Sequence, residues 1–477
     1  MITGKWKYLV AGVGESGDPM DVRSPYSGEL LATVESASPE VIEQALANAE
    51  EARRSIMPKL PAHARARILL QVARLMEREF DALVLGITQE GGKPFTDAKV
   101  EVSRAINTVT LAAHEATSLD GEQLQMDRAP GHENRLAFVT REPIGVVAAI
   151  SAFNHPVNLI AHQVAPAIAA GCPVVVKPAS TTPLSCIRMG RLFLEAGLPE
   201  KCLSVVPCRG GNAAPLATDR RVSYLTFIGS AAVGWELRRK LHPGIRLSLE
   251  HGGTATSIVA ADADLKLVAE KSLKGGYYHA GQVCVSVQNI LLHRTLYDRF
   301  AEMFTPMVEK LVVGDPTDPK TEVGPIIDQS ELDRIARTVD AAIKDGAQVL
   351  TGAERMDHQC YRPTLLGRTR RGMEVFDEEI FGPVVNLCAF DDLDEAIHIA
   401  NDSKFGFQSS VYSANVDTAF HVARHLNASA VMINDHTAYR VDWMPFGGRD
   451  YSGIGMGGVK YAVHEMIRPK LYVLNLR

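Results

Sequence analysis

From Gly145 onward, short and mostly apolar runs alternate with stretches of helical periodicity. The runs are Val146 to Ile150, Val174 to Val176, Leu203 to Val206, Tyr224 to Phe227 and Leu247 to Leu249. A strand with one wet face alternates polar and apolar residues. Runs apolar throughout are covered on both faces, which predicts a parallel sheet between helices. A second alternation begins near Ser257-Ile258-Val259 and passes through helical patterns at Leu265 to Tyr278 and Leu332 to Asp345. Its later strands are Val384 to Phe390 and Val431 to Ile433. The fold class is therefore α/β, with two such units. Upstream, Ser38 as N-cap and Pro39 at the first helical position open a helix whose apolar face is Val41, Ile42, Ala45, Leu46 and Ala49. That helical region is expected to run to about Ala116. Arg135 to Arg141 and Lys470 to Leu476 read as strands outside both units, and apolar strands at an edge commonly pair with another subunit.

Gly12-Val13-Gly14-Glu15-Ser16-Gly17 spells a dinucleotide fingerprint, but Asp18-Pro19 and strand-like sequence come directly after it. Without a helix N-terminus there is nothing to receive a pyrophosphate, so the segment reads as a surface turn.

A chain of 477 residues has room for two or three cores. Its net charge of −6, with both signs interspersed, argues against nucleic acid or an anionic membrane as the main partner. The seven cysteines are odd in number and scattered, without CxxC pairs or metal-ligand spacing. Reduced thiols fit a cytoplasmic protein with no metal site. No targeting segment and no apolar run long enough to span a bilayer is visible, so a soluble protein is expected.

The candidate chemistry centres on Cys284, in His279-Ala280-Gly281-Gln282-Val283-Cys284, and on Glu250, which comes after the strand-like Ile245 to Leu249. A thiol in a glycine-flanked loop can attack a carbonyl carbon, and a carboxylate from another element can deprotonate water to release the thioester. Read alone, a cysteine is more often a buried apolar residue. Lys177 closes the strand ending at Val176, where a nucleotide's ribose and phosphate usually lie, though it also reads as the solvated lysine of a turn. Phe227-Ile228-Gly229-Ser230 ends a strand before the helical Ala231 to Arg239, so its free amides could receive a pyrophosphate. Asn154, in Phe153-Asn154-His155-Pro156, is either a turn residue or an oxyanion donor.

With Glu378-Glu379-Ile380-Phe381-Gly382-Pro383 and Pro445-Phe446-Gly447-Gly448, these blocks occur in one order and spacing. The chain resembles the aldehyde dehydrogenase superfamily, from Ser24-Pro25-Tyr26-Ser27-Gly28-Glu29 to Ser452-Gly453. The resemblance implies a Rossmann-type cofactor domain (1–120 and 140–249), an α/β catalytic domain (250–440) and oligomerisation strands (121–139 and 460–477) in a homodimer or homotetramer. It implies Cys284 as nucleophile, Asn154 with the Cys284 amide as oxyanion hole, and Glu250 as the base that activates water. Lys177, Ser230, Glu379 and Phe381 fall at cofactor positions. Relatives specialised for NAD usually carry Glu where this chain has Ser180. A neutral hydroxyl there, with Arg209 from the next loop, predicts use of NADP with NAD tolerated. Glu250 speaks against the coenzyme A-acylating branch, and Cys284, Asn154 and Glu250 together speak against a non-catalytic binding protein.

Two departures stand out. Ile228 replaces the usual Thr, and His251 replaces the usual Leu after the base. Strand alternation points His251 away from Glu250, which favours a packing histidine over a proton relay. For the substrate, the chain looks most similar to the branch acting on lactaldehyde and small phosphorylated or phosphonylated aldehydes. There Arg104, His155 and Arg440 would face the substrate tail, although each also reads as an ordinary salt-bridge, turn or surface residue. Val283 stands where relatives acting on phosphorylated tails often add an Arg. A short polar aldehyde, hydroxylated or bearing one acidic group, is the expectation.

Overall fold

The computed structural model describes residues 3–14 and 17–476. Two parallel sheets dominate. The first has the order Gly453–Ile454, Arg246–Glu250, Val222–Ile228, Val146–Ile150, Val174–Lys177, Leu203–Val205, all parallel except the antiparallel Gly453–Ile454. Val146–Ile150 is buried at every position, as its unbroken apolar run requires. The chain moves outward from this central strand through Val174–Lys177 to Leu203–Val205, then returns to its other side with Val222–Ile228. That reversal opens a crevice at the strands' carboxyl ends, where α/β sheets bind ligands.

The second sheet has the order Gln348–Thr351, Thr364–Gly367, Val384–Phe390, Asn289–His293, Thr256–Val259, Gln408–Tyr412, Ala430–Ile433, parallel but for Gln348–Thr351. Gln408–Tyr412 is a central strand despite its polar start, and the Ser410 hydroxyl donates to Ser257 Oγ at 2.7 Å across it. Among the described residues, no helix is long and apolar enough to cross a membrane.

Three differences from the sequence reading concern boundaries. Glu250 ends a strand of the first sheet, paired with Ile228 and Gly453, so the expected 249/250 boundary falls inside that strand. Gly453–Ile454 joins the same sheet from far downstream, a pairing no local pattern announces. The stretch 460–477 opens with a helix, Val459–Glu465, and its strand is Ile467–Asn475. That strand pairs with Arg135–Pro143, which crosses the expected 139/140 boundary and pairs in turn with Glu122–Leu124. Before the helical region lies a small sheet of Gly4–Trp6, Leu30–Glu35 and Pro19–Arg23.

Glu15 and Ser16 of the glycine motif lie outside the described residues. The described part precedes the strand Pro19–Arg23, and Leu9 pairs with Val205 at the edge of the first sheet.

The helix Asn158–Ala170 is buried at every residue, and its own N-cap residue, Val157, offers no side-chain acceptor. Glu101, from the helix Phe95–Glu115, supplies one: its Oε1 accepts from the amides of Val157 at 2.9 Å and Asn158 at 3.1 Å. Its other oxygen pairs with Lys93, and both side chains are fully buried. Glu90 does the same for the helix Pro183–Glu195, accepting from Leu184 and Ser185. Two buried carboxylates thus fix the helices that come after the Asn154 and Lys177 loops.

Candidate active site

A cleft of about 1200 Å³ opens at the carboxyl ends of the first sheet and is lined by residues of both units. Asn154, Lys177, Ser230, Glu250, Cys284, Glu379, Phe381, Arg104, His155 and Arg440 all line it. Ser180 and Arg209 are exposed just outside its wall, beside Ala179 and Gly210. Ser180 Oγ donates to the carbonyl of Cys208 at 3.3 Å, which sets it next to Arg209.

The Cys284 loop is held by strain and by a hub. His279, Ala280 and Gly281 all have positive φ, at 49°, 54° and 69°. Two of the three pay the cost of a left-handed backbone without being glycine, a strain that persists only where surroundings enforce it. A methyl on Gly281 would overlap the Gly382 carbonyl. Gln282 is the hub: its Oε1 accepts from the Ile327 amide at 3.0 Å and its Nε2 donates to the carbonyls of His279 and Pro325. Its own carbonyl accepts from Asn154 Nδ2 at 2.9 Å, tying Asn154 to the Cys284 loop. Nothing in the sequence singled out Gln282, because its work depends on segments distant in the chain.

Val283 and Val285 flank Cys284 and sink into a small apolar cluster with Phe407 and Phe446. Cys284 is partly exposed, whereas the other six cysteines are buried. Burial first, then the nearby Glu250 carboxylate, pushes the Cys284 thiol up, while Arg440 pulls it back. Burial also raises Glu250, opposed by Arg440. A raised carboxylate is a better proton acceptor, as a base working near neutral pH must be. Phe446 pairs with Gly457 through both backbone groups, and the Glu250 carboxylate rests against Gly457. The same Phe446 ring carries the Arg440 guanidinium at 3.5 Å.

At the crevice end, Ser230 is the N-cap of the helix Ala231–Lys240 with no side-chain cap of its own, and Ala231 and Ala232 line the cleft. First-turn amides without partners are anion donors. Lys177 is buried and donates to the Pro178 carbonyl at 3.0 Å. Glu379 Oε1 is buried without a partner, and burial pushes the carboxyl up to about 8. The Glu379 carboxylate rests against Gly252, where a methyl would overlap it and displace it. Phe381, at φ 51°, lies edge-on to Phe153 with centroids 5.8 Å apart. An orphaned acceptor for ribose hydroxyls, free helix amides and a lysine at a strand end fit a nicotinamide dinucleotide.

His251 Nδ1 bonds the Gly229 carbonyl at 2.9 Å, and the ring packs beside Phe227 and Trp235. Its Nε2 is buried without a partner, under Gly234, where a methyl would overlap the ring. These are the contacts of a packing histidine.

At the other end of the cleft, Arg104 Nη2 donates to Asp442 Oδ1 at 2.8 Å. Asp442 is 2% exposed, and the same oxygen contacts His162 Nε2 at 3.0 Å. Burial opposes ionisation of Asp442, but the His162 hydrogen bond and Arg104 hold it well below the carboxylate range. His155 Nε2 lies 3.2 Å from Tyr278 Oη, and burial keeps the ring neutral. Arg440 has no carboxylate within ion-pair distance among the described residues, and its Nε is buried without a partner. Asp442 was missed because an isolated acid has no local signature.

A family model for aldehyde dehydrogenases matches residues 13–472. The chain belongs to the aldehyde dehydrogenase family. As an aldehyde dehydrogenase it is an NAD(P)-dependent oxidoreductase. It is 36% identical over 477 residues to 3-sulfolactaldehyde dehydrogenase of Priestia aryabhattai, covering 100% of this chain and 97% of that one. Among solved aldehyde dehydrogenases, number 21 of Physcomitrella patens, in complex with its reaction product succinate, superposes with a TM-score of 0.96 at 34% identity, covering 100% of this chain and 99% of that one. Glyceraldehyde-3-phosphate dehydrogenase GapN of Methanocaldococcus jannaschii, complexed with NADP, gives 0.92 at 34% identity, covering 97% and 100%.

Proposed function

We propose that this enzyme oxidises a short polar aldehyde, hydroxylated or bearing one acidic group, to its carboxylic acid. The observation that carries the reading is that Cys284, Asn154 and Glu250 line one cleft, with Asn154 hydrogen-bonded to the nucleophile loop. Cys284 gives up its proton and its sulfur bonds the aldehyde carbon, forming a thiohemiacetal. Asn154 and the Cys284 amide hold the oxyanion, a donor worth roughly 3 to 4 kcal/mol in such sites. A nicotinamide held in the cleft by Lys177, Ser230 and Glu379 would supply the hydride acceptor for this carbon. Glu250 takes a proton from water, whose oxygen attacks the thioester and releases the acid and the thiol.

Three of the compared proteins support a short, acidic tail: one is named for a sulfonated aldehyde, one holds succinate, and one is named for a phosphorylated aldehyde. Arg104, His155 and Arg440 at one end of the cleft would meet that tail. Arg104→Ala and Arg440→Ala are expected to raise KM for an acidic aldehyde about tenfold or more and to leave propanal much less affected, because only the charged tail loses its partner. Steady-state kinetics on both aldehydes checks this, and equal effects would overturn it.

For the coenzyme, Ser180 beside Arg209 supports NADP use, with NAD tolerated. Ser180→Glu is expected to lower kcat/KM with NADP at least tenfold relative to NAD, because a carboxylate there repels the 2′-phosphate. A strong NAD preference in the unaltered enzyme would show that Ser180 does not set selectivity. We also propose a cytoplasmic homodimer or homotetramer. Leu471, Val473 and Leu474 are exposed on the edge strand Ile467–Asn475, an apolar edge that invites a second copy.

A further inference from the structure

We propose that Asp442 sets the charge of the tail this enzyme accepts: by neutralising one of the two arginines facing the cleft, it makes this end of the site a receptor for a monoanion, carboxylate or sulfonate, and not for a dianionic phosphate or phosphonate. The inference rests on the acidic-tail reading above and narrows it.

The argument is a charge count. Two cations line the substrate end of the cleft, Arg104 and Arg440. Asp442 sits behind Arg104 and meets its Nη2 at 2.8 Å and its Nε at 3.4 Å, close to a two-point fork. Such a pair is one neutral, oriented donor, with guanidinium N–H groups left over for a ligand. Arg440 lies on the Phe446 face without an ion pair; burial works against its charge, and the Glu250 and Asp442 carboxyl groups nearby support it. The remaining groups add nothing positive. Lys93 is paired with Glu101 and Lys274 with Asp97. His155 and His162 are held neutral by burial, His162 down to about 4. Glu250 is either neutral or negative. Val283, the residue before Cys284, is buried and apolar and adds no charge.

The pocket therefore offers a net charge of at most one, reached while Glu250 is protonated. A carboxylate or sulfonate matches it, while the second charge of a phosphate would be drawn from water into a partly dry cleft with no partner. A bare pair of arginines without Asp442 would favour the dianion instead. Asp442 acts through Arg104, so it is a positioning and selectivity residue, and its readout is a ratio between substrates.

Sulfoacetaldehyde and phosphonoacetaldehyde are matched in length and differ mainly in charge at pH 8; succinic semialdehyde distinguishes a carboxylate source from a sulfonate one, and lactaldehyde serves as the neutral reference. In the unaltered holoenzyme, kcat/KM for sulfoacetaldehyde or succinic semialdehyde is expected to exceed that for phosphonoacetaldehyde by roughly tenfold or more. Asp442→Asn is expected to lower that ratio about tenfold, and Asp442→Glu, which keeps the charge, to restore it. Because each ratio is taken within one variant, general damage cancels; if Asp442→Asn does not fold, the unaltered enzyme's own ratio still decides. A preference of the unaltered enzyme for phosphonoacetaldehyde, or a ratio unmoved by Asp442→Asn, overturns the proposal. If neither anion is favoured over lactaldehyde, the acidic-tail reading falls and the proposal with it.

Discussion

Replacing Cys284 by alanine is expected to abolish turnover, and replacing Glu250 by glutamine to stop the reaction half-way, with the acyl group left on sulfur. Glu250 ends a strand of the first sheet and Cys284 lies in the loop before Asn289–His293 of the second, and the two meet only in the cleft, one proposed to form the covalent bond and the other to release it. Losing a covalent nucleophile typically costs roughly 10⁶ in kcat. Glu250→Gln keeps the shape but removes the base, so hydride transfer occurs once per site and then stalls. A burst of reduced coenzyme close to the enzyme concentration, and an acyl adduct by intact mass, are the expected observations. In the unaltered enzyme, deacylation rises with pH as the Glu250 carboxyl, raised by burial, loses its proton. Wild-type turnover in the Glu250 variant would remove it from this role.

The second large effect lies away from the chemistry. Glu101→Gln is expected to lower the midpoint of the first thermal transition by about 10 °C, the consequence of roughly 3 to 5 kcal/mol lost when a buried pair is broken. Glutamine can still accept from the amides of Val157 and Asn158, but the Lys93 ammonium loses its ion-pair partner in a fully buried site and keeps only the more distant Asp97, itself paired with Lys274. Either it stays charged and unpaired or it gives up its proton, and both are unfavourable. Lys93→Met added to Glu101→Gln is expected to recover much of the loss. Differential scanning calorimetry of the two variants decides it; a shift under 2 °C in the single variant would show that the pair contributes little.

Legibility in the sequence depended on where information is local. Val146–Ile150 announced itself because a strand covered on both faces has no reason to carry polar residues. Ser38 and Pro39 marked their helix because capping is a matter of three or four neighbouring residues, and Ser38 Oγ does accept from the Val41 amide. Asn158–Ala170 left no period to read, since a helix buried all round has no polar face, and Pro166 within it signals a break that the packing overrides. Gln408–Tyr412 hid behind polar residues whose partners, such as Ser257, lie far away in the chain. The site divides in the same way. Cys284, Glu250 and Asn154 stood in recognisable blocks, and the structure brings them into one cleft. Gln282 and Asp442 owe their importance to what distant loops present to them, and no window of sequence contains that information.

The distribution of thiols has a consequence for how this enzyme ages. Six of its seven thiols are buried, and the seventh, Cys284, is the one partly open to solvent. Among thiols, oxidants that reach a protein from water act first on the accessible one. Damage is thus channelled to the atom on which turnover is proposed to depend, and away from those that hold the cores together. An oxidised molecule of this protein would be silent yet still folded, and a reductant able to reach the cleft would restore it so long as the sulfur had gone no further than a sulfenic acid or a mixed disulfide.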